Sequence, residues 1–262
     1  MHGKLWIATY GLITASWVCL FALAREHPAP PVWGAFEGNG FLANWRAWCV
    51  AEPTDSRFAT TAAMWVLMVG AMMLPSGLPF FRTYADLLVA RANAIAHTEF
   101  SAVHVVSAGL GYLAVWLLFA LLAAMSQTAL HDATLMSPHG ILLLPNAGAV
   151  VVLVVGLYQF SPHKRRAQAK CQEPFRYLLT TWQPGVRGGF AMGIRYGTRC
   201  LVCCWALMLL AFIGGTMNLL WMGVVTVVMV MEKMRGAGTW VRPIVGAVLI
   251  GIGAGVLLGN SW

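Results

Sequence analysis

Three cysteines lie within one apolar segment of the chain, at Cys200, Cys203 and Cys204. Positions i, i+3 and i+4 share one face of an α-helix, so the three thiols are expected to lie side by side. Sulfur ligands favour Cu(I), zinc or an iron–sulfur cluster. A Cys200–Cys203 disulfide would bring its β-carbons to about 3.8 Å, whereas helical neighbours stay roughly 5–6 Å apart. The spacing therefore predicts a metal site, with simple packing of the cysteines as the structural alternative.

Two arginines, Arg195 and Arg199, precede the thiols in the same segment. A cation at the centre of a membrane span costs roughly 2.5–3.5 kcal/mol on insertion scales, so it usually marks a functional interior. We expect both arginines on the thiol side of the helix, where their charge would stabilise thiolates. Pairing with Glu232 or with backbone carbonyls is the alternative. Beside Lys233, Glu232 also fits a solvated pair at the membrane boundary.

A second apolar segment offers thioether ligands. Met64, Met68 and Met72 recur every four residues, and Met73 follows directly. A rise of about 1.5 Å per residue places Met72 near the depth of Cys200. Methionine also fills irregular gaps in a core, but a mixed site of thiols and thioethers would select Cu(I).

The predicted metal ligands are Cys200, Cys203, Cys204, Met68, Met72, Met73 and Met208. The residues predicted to support this site, or to form an access path to it, are Cys171, His104, Glu232, Arg199 and Asn218.

The composition of the chain indicates which kind of secondary structure carries these residues. The 262 residues are 59% hydrophobic and only 10% charged, against about 25% charged in soluble domains. We therefore predict one integral membrane domain, residues 1–262, folded as an all-α polytopic bundle with the lipid bilayer as its surroundings. Seven apolar segments approach the ~20 residues that a spanning helix needs. They are 5–24, 59–81, 103–125, 140–161, 190–213, 215–232 and 241–259.

The distribution of positive charge predicts the orientation. The net charge is +8, and the basic residues concentrate in connections on one side, above all in a loop at 162–189. By the positive-inside rule that side is cytoplasmic, with the N-terminus inside and the C-terminus outside. Nucleic acid is excluded as a partner, because the charges lie between apolar spans. Residues 1–24 also resemble a signal peptide, but their apolar run is long for one.

Further local expectations concern the connections. The outer loop 25–58 should lie at the membrane interface, and the cytoplasmic stretch 82–102 should be helical and amphipathic. Pro75 and Pro79 are expected to break the second span near its inner end. The six cysteines do not suggest a disulfide framework. No glycine-rich phosphate loop, H-E-x-x-H, G-x-S-x-G or C-x-x-C-H motif is present, so an enzymatic activity is not favoured.

Four sequence blocks resemble a family of bacterial proteins described as predicted metal-binding integral membrane proteins. They are Trp65–Pro79, Tyr158–Cys171, Cys200–Met208 and the stretch from Gly215 to Lys233. The family often carries two cysteines in the basic loop, at positions matching Ala167 and Cys171, and only Cys171 is present here. The resemblance implies metal binding without implying a reaction.

The combined expectation is a copper(I)-binding protein of the bacterial inner membrane. It would deliver copper to a membrane-bound metalloenzyme, or serve as a subunit of one. Zinc, or no metal, is the alternative for the site. A quinone-linked thiol redox protein and a structural membrane partner without metal are the alternative functions.

Overall fold

The computed structural model describes residues 2–26, 57–95, 102–135, 145–214 and 218–259. Within these ranges the chain is helical throughout apart from short connections. The helices are α1 (His2–Glu26), α2 (Arg57–Ile95), α3 (Ala102–Asp132), α4 (Pro145–Gln159), α5 (Pro162–Gln172), α6 (Pro174–Thr181), α7 (Gly185–Leu209), α8 (Ala211–Gly214), α9 (Leu219–Lys233) and α10 (Ala237–Gly259). The all-α prediction is confirmed.

Four helical stretches are long and apolar enough to cross a membrane: Phe58–Arg91, Ala102–Asp132, Gly185–Gly214 and Ala237–Leu258. The other predicted spans coincide with α1, α4 and α9. The apolar parts of α1 and α4 are shorter, and α9 has 15 residues, fewer than the ~20 that span a bilayer. Seven full-length spans are therefore not found in the described chain.

The helix α2 corrects the expected break at the prolines, because it continues for 39 residues through both Pro75 and Pro79. The described part of the stretch 82–102 is helical as expected, as the continuation of α2. A proline lacks the N–H that would bond to the carbonyl four residues earlier. For Pro75 that carbonyl belongs to Ala71, and the indole Nε1 of Trp17 in α1 donates to it at 3.1 Å. A neighbouring helix thus satisfies the group that the proline leaves without its usual partner.

A seam of glycines brings α7 into backbone contact with α3. Gly189, Gly193 and Gly197 recur every four residues on α7. A β-carbon at Gly193 would collide with the carbonyl oxygen of Ala108, and one at Gly111 with the carbonyl oxygen of Phe190. Small residues at this spacing permit close helix packing in membranes. The seam fixes the helix that carries the three clustered cysteines.

The predicted basic loop 162–189 is in fact structured, since it contains α5, α6 and the start of α7. Lys164 of α5 is fully buried and forms an ion pair with Glu232 of α9, with Nζ and Oε2 2.8 Å apart. The amides of Gln168 and Gln172 donate to the Glu232 carbonyl at 2.6 and 2.8 Å. These contacts bind α5 to the end of α9.

The cysteines of the described residues are in two states. Cys19 of α1 is disulfide-bonded, whereas Cys171, Cys200, Cys203 and Cys204 are free and buried. The predicted interfacial loop at 25–58 lies, except for its ends, outside the described residues.

Candidate metal centre

Four free thiols form a continuous row inside the bundle. Side-chain interactions link the thiol of Cys203 to those of Cys171 and Cys204, and the thiol of Cys204 to that of Cys200. Cys200, Cys203 and Cys204 lie on one face of α7 as their spacing predicted, and Cys171 reaches them from α5. The sequence analysis had given Cys171 only a supporting position. The structure places it at one end of the row.

The other end of the thiol row meets a buried ammonium group. Lys233, the last residue of α9, donates from Nζ to the Sγ of Cys200 at 2.9 Å and to the Oγ of Ser76 at 2.8 Å. The hydroxyl of Tyr112 lies 3.3 Å from the same Sγ and donates to the carbonyl oxygen of Met73 at 2.8 Å. A positive charge at this place can compensate the negative charge that a metal-bound thiolate would carry. The expectation that Glu232 and Lys233 form a solvated pair is wrong, because both side chains are buried.

The charge beside the thiols thus comes from Lys233 and not from the arginines. Arg195 and Arg199 are exposed while Cys200 is buried, so the expectation that they share the thiol face is wrong. Arg199 instead acts on Tyr177 of α6, where burial raises the pKa of the phenol and the nearby guanidinium opposes this rise. The expected pairing of these arginines with Glu232 is also replaced, since the counter-ion of Glu232 is Lys164.

An open vestibule of about 670 Å³ leads to the thiol row. Ser76, Cys171 and Lys233 contribute to its wall, so it reaches residues at both ends of the row. Arg176 and Arg235 also line it, and their side chains are 83% and 76% exposed. Among the described residues that line the vestibule, His104 and Glu232 are absent. Of the predicted access path, only Cys171 lies at the vestibule.

The predicted methionine ligands divide into two places. Met73 lies beside the thiol row, because its carbonyl accepts from Tyr112 and its Sδ lies 3.8 Å from the Oγ of Ser76. Met68, Met72 and Met208 instead line a small separate cavity together with Met222 of α9. The structure therefore does not bring Met72 and the thiols together around one point.

Two further findings bear on the predicted ligand set. Among the residues that the structure describes, no group of three or more His, Cys, Asp or Glu side chains is arranged to hold a metal ion. Asn218 caps α9, since its Oδ1 accepts from the backbone N–H of Trp221 at 3.1 Å. Its observed role is therefore the start of the helix that carries Met222 and Lys233.

Sequence reasoning missed Lys233, Ser76 and Tyr112 as neighbours of Cys200. A lysine at the end of an apolar segment ordinarily reaches water, and nothing in its spacing shows that it turns inward. The spacing of Met222 and Val225 puts both residues on one face of a helix. The position of Met222 against α2 and α7, however, depends on tertiary packing.

Within the described residues, the structure thus defines a helical protein with four membrane-length helices and a buried row of free thiols that opens to a charged vestibule. The model of the PpoB2 copper chaperone family matches residues 62–256. This match covers most of the chain, which therefore belongs to that family. It agrees with the metal-related family that the sequence resembles. No curated protein and no solved structure shows a match to the chain.

Proposed function

We propose that this protein accepts Cu(I) through the vestibule at its row of four thiols and passes it to a membrane-bound copper enzyme. The observation that carries the proposal is the continuity of the row, from the vestibule residue Cys171 to Cys200 beside Lys233. Soft sulfur ligands favour Cu(I) over harder ions. The copper chaperone family supports copper over zinc.

Neighbouring pairs of thiols suit a protein that must release its cargo. Cu(I) is held well by two thiolates, so each adjacent pair along the row offers a site without a preformed cage. Moving from Cys171–Cys203 to Cys203–Cys204 and then to Cys204–Cys200 exchanges one sulfur at a time. Lys233 compensates the negative charge of a bis-thiolate copper complex, which in a buried environment would otherwise be costly.

The charge of the vestibule supports entry of copper from this side of the row, with Cys171 as its first thiol. Its walls carry Lys233, Arg176 and Arg235 against the single acid Glu173, and α5 adds further basic residues at the same end. By the positive-inside rule, this concentration of positive charge supports a cytoplasmic position for the vestibule. We infer a location in the bacterial inner membrane, with the N-terminus inside, the C-terminus outside and the recipient enzyme in or across the membrane.

Metal content tests the proposal. The full chain is purified in detergent, loaded anaerobically with Cu(I), and compared with the Cys200→Ser/Cys203→Ser/Cys204→Ser variant by elemental mass spectrometry. We expect the variant to lose copper from the thiol row. The double variant Met192→Leu/Met229→Leu, which changes two buried methionines outside the vestibule and the cavity, is the control and should bind as the parent does.

Thiol labelling tests the direction of access. A water-soluble maleimide should modify Cys171 before the three cysteines of α7, because Cys171 alone among them lines the vestibule. Prior loading with Cu(I) should protect it, as peptide mass spectrometry would show. Equal labelling with and without copper, in a folded protein that retains its metal, would remove Cys171 from the proposed route.

A further inference from the structure

A second, separate cluster of sulfur atoms lies in the bundle. Met68 and Met72 of α2, Met208 of α7 and Met222 of α9 line one small cavity of about 10 Å³. All four are buried, with at most 2% of each residue exposed. Three helices therefore direct four thioether side chains to one place.

The rest of the cavity wall is apolar. It consists of Leu207, Ala211, Trp221 and Val225, and the indole N–H of Trp221 is already donated to the carbonyl oxygen of Leu210 at 2.8 Å. A water needs roughly 10–15 Å³ and two to four polar partners, which this wall does not offer. A small, dehydrated, soft cation is the ligand that suits neutral sulfur donors in such surroundings.

The same three helices hold both sulfur clusters at different levels. At the thiol level Ser76 of α2 and Cys200 of α7 meet Lys233 of α9. From Met72 to Ser76 and from Cys204 to Met208 the separation is four residues, which at a rise of 1.5 Å per residue is about 6 Å along each helix. The methionine cavity is thus the next layer, about one helical turn beyond the thiols on the side away from the vestibule.

We propose that this methionine-lined cavity is a second Cu(I) site, made only of thioethers and separate from the thiol row. This inference rests on the proposed function, since copper reaches the cavity by way of the thiols. Thioethers are neutral and need no deprotonation, so a copper ion in the cavity keeps a single positive charge, and the cost of burying that charge in apolar surroundings favours release over retention. A site of this kind suits the stage before release to a recipient.

Copper stoichiometry with matched variants tests the proposal. The full chain in detergent is loaded anaerobically with Cu(I), alongside Met72→Leu/Met208→Leu/Met222→Leu and the control Met192→Leu/Met229→Leu. Leucine conserves volume and usually costs less than ~1.5 kcal/mol per site, so the fold should survive. We expect the cavity variant to lose about half of the bound copper and the control none, as two separate sulfur sites require.

X-ray absorption at the copper edge supplies a second measurement. With Cys171→Ser added to the Cys200→Ser/Cys203→Ser/Cys204→Ser variant, copper retained under direct Cu(I) loading should be bound by thioether sulfur alone. Copper retained by the cavity variant should be bound by thiolate sulfur alone. If the cavity variant keeps all its copper while the thiol variant loses all, the second site does not exist and the proposed function stands. If the thiol variant keeps all its copper and the cavity variant loses all, the thiol proposal fails and the cavity stands as the copper site. Absence of copper from every form would overturn both.

Discussion

The Nζ of Lys233 lies 2.9 Å from the Sγ of Cys200, within the core of the bundle. The lysine ends α9 and the cysteine lies in the middle of α7. Together with the Ser76 hydroxyl, the thiol gives the ammonium group polar partners that a buried charge requires. The pair couples the sulfur row to a fixed positive charge.

Replacing Lys233 by methionine should weaken Cu(I) binding. A bis-thiolate complex in the bundle would lose its neighbouring positive charge, so we expect the dissociation constant to rise by about tenfold or more, or ~1.4 kcal/mol. Competition with a coloured Cu(I) chelator measures this. Lys170→Met, an exposed lysine on α5, is the matched control. Equal affinities for the two variants would contradict a role for the ammonium group.

Single substitutions in the buried Lys164–Glu232 pair should reduce the stability of the protein more than the double substitution does. Lys164→Met or Glu232→Gln alone leaves a buried group without its partner, which typically costs about 3–5 kcal/mol of stability. The double variant should recover part of this loss. Thermal unfolding in detergent gives the comparison. Arg176→Met, which breaks the exposed pair with Glu173, should cost no more than ~1 kcal/mol, and a loss as large as that of Lys164→Met would contradict this account.

Gly193→Ala should destabilise the contact between α3 and α7. Its methyl group would collide with the carbonyl oxygen of Ala108, and the backbone shift needed to relieve such overpacking typically costs about 1–3 kcal/mol. The control is Gly109→Ala on α3, where a β-carbon meets no neighbour within 4 Å and helix propensity favours alanine. A lower midpoint of thermal unfolding for Gly109→Ala than for Gly193→Ala would refute the seam.

Trp17 and Pro75 should be energetically coupled. Trp17→Phe removes the donor to the Ala71 carbonyl, at a cost of about 1 kcal/mol. In a Pro75→Ala background the new N–H at position 75 supplies that bond, so the same substitution should cost less. A double-mutant cycle of unfolding free energies measures the difference. Additive effects would show that the indole does not replace the missing backbone donor.

The apolar composition and the spacing of the cysteines on α7 were enough to predict an all-α bundle and one shared thiol face. The continuity of α2 was not predictable from local rules, because Pro75 disfavours a helix unless another element satisfies Ala71. That element is Trp17, which lies 54 residues away from Ala71 in the sequence.

Which residues meet at the site was likewise not predictable from local sequence patterns. Helical periodicity placed Met68, Met72 and Met208 on suitable faces but gave no information on which sulfur atoms meet. Only packing reveals that Met222 joins them and that Met73 remains beside the thiols. Lys164 appeared to be part of a solvated basic loop, whereas burial with Glu232 places it in the interior.

The glycine seam has a mechanical consequence for the thiol row. Backbone contact along α3 leaves α7 little room to slide or tilt, so it acts as a rigid wall. The short helix α5 is joined to α9 by the polar contacts at Glu232, and α6 follows it directly in the chain. Amide hydrogen exchange should be faster in these two short helices than in the middle of α7. Any opening of α5 would carry Cys171 away from the three cysteines of α7, which remain in place.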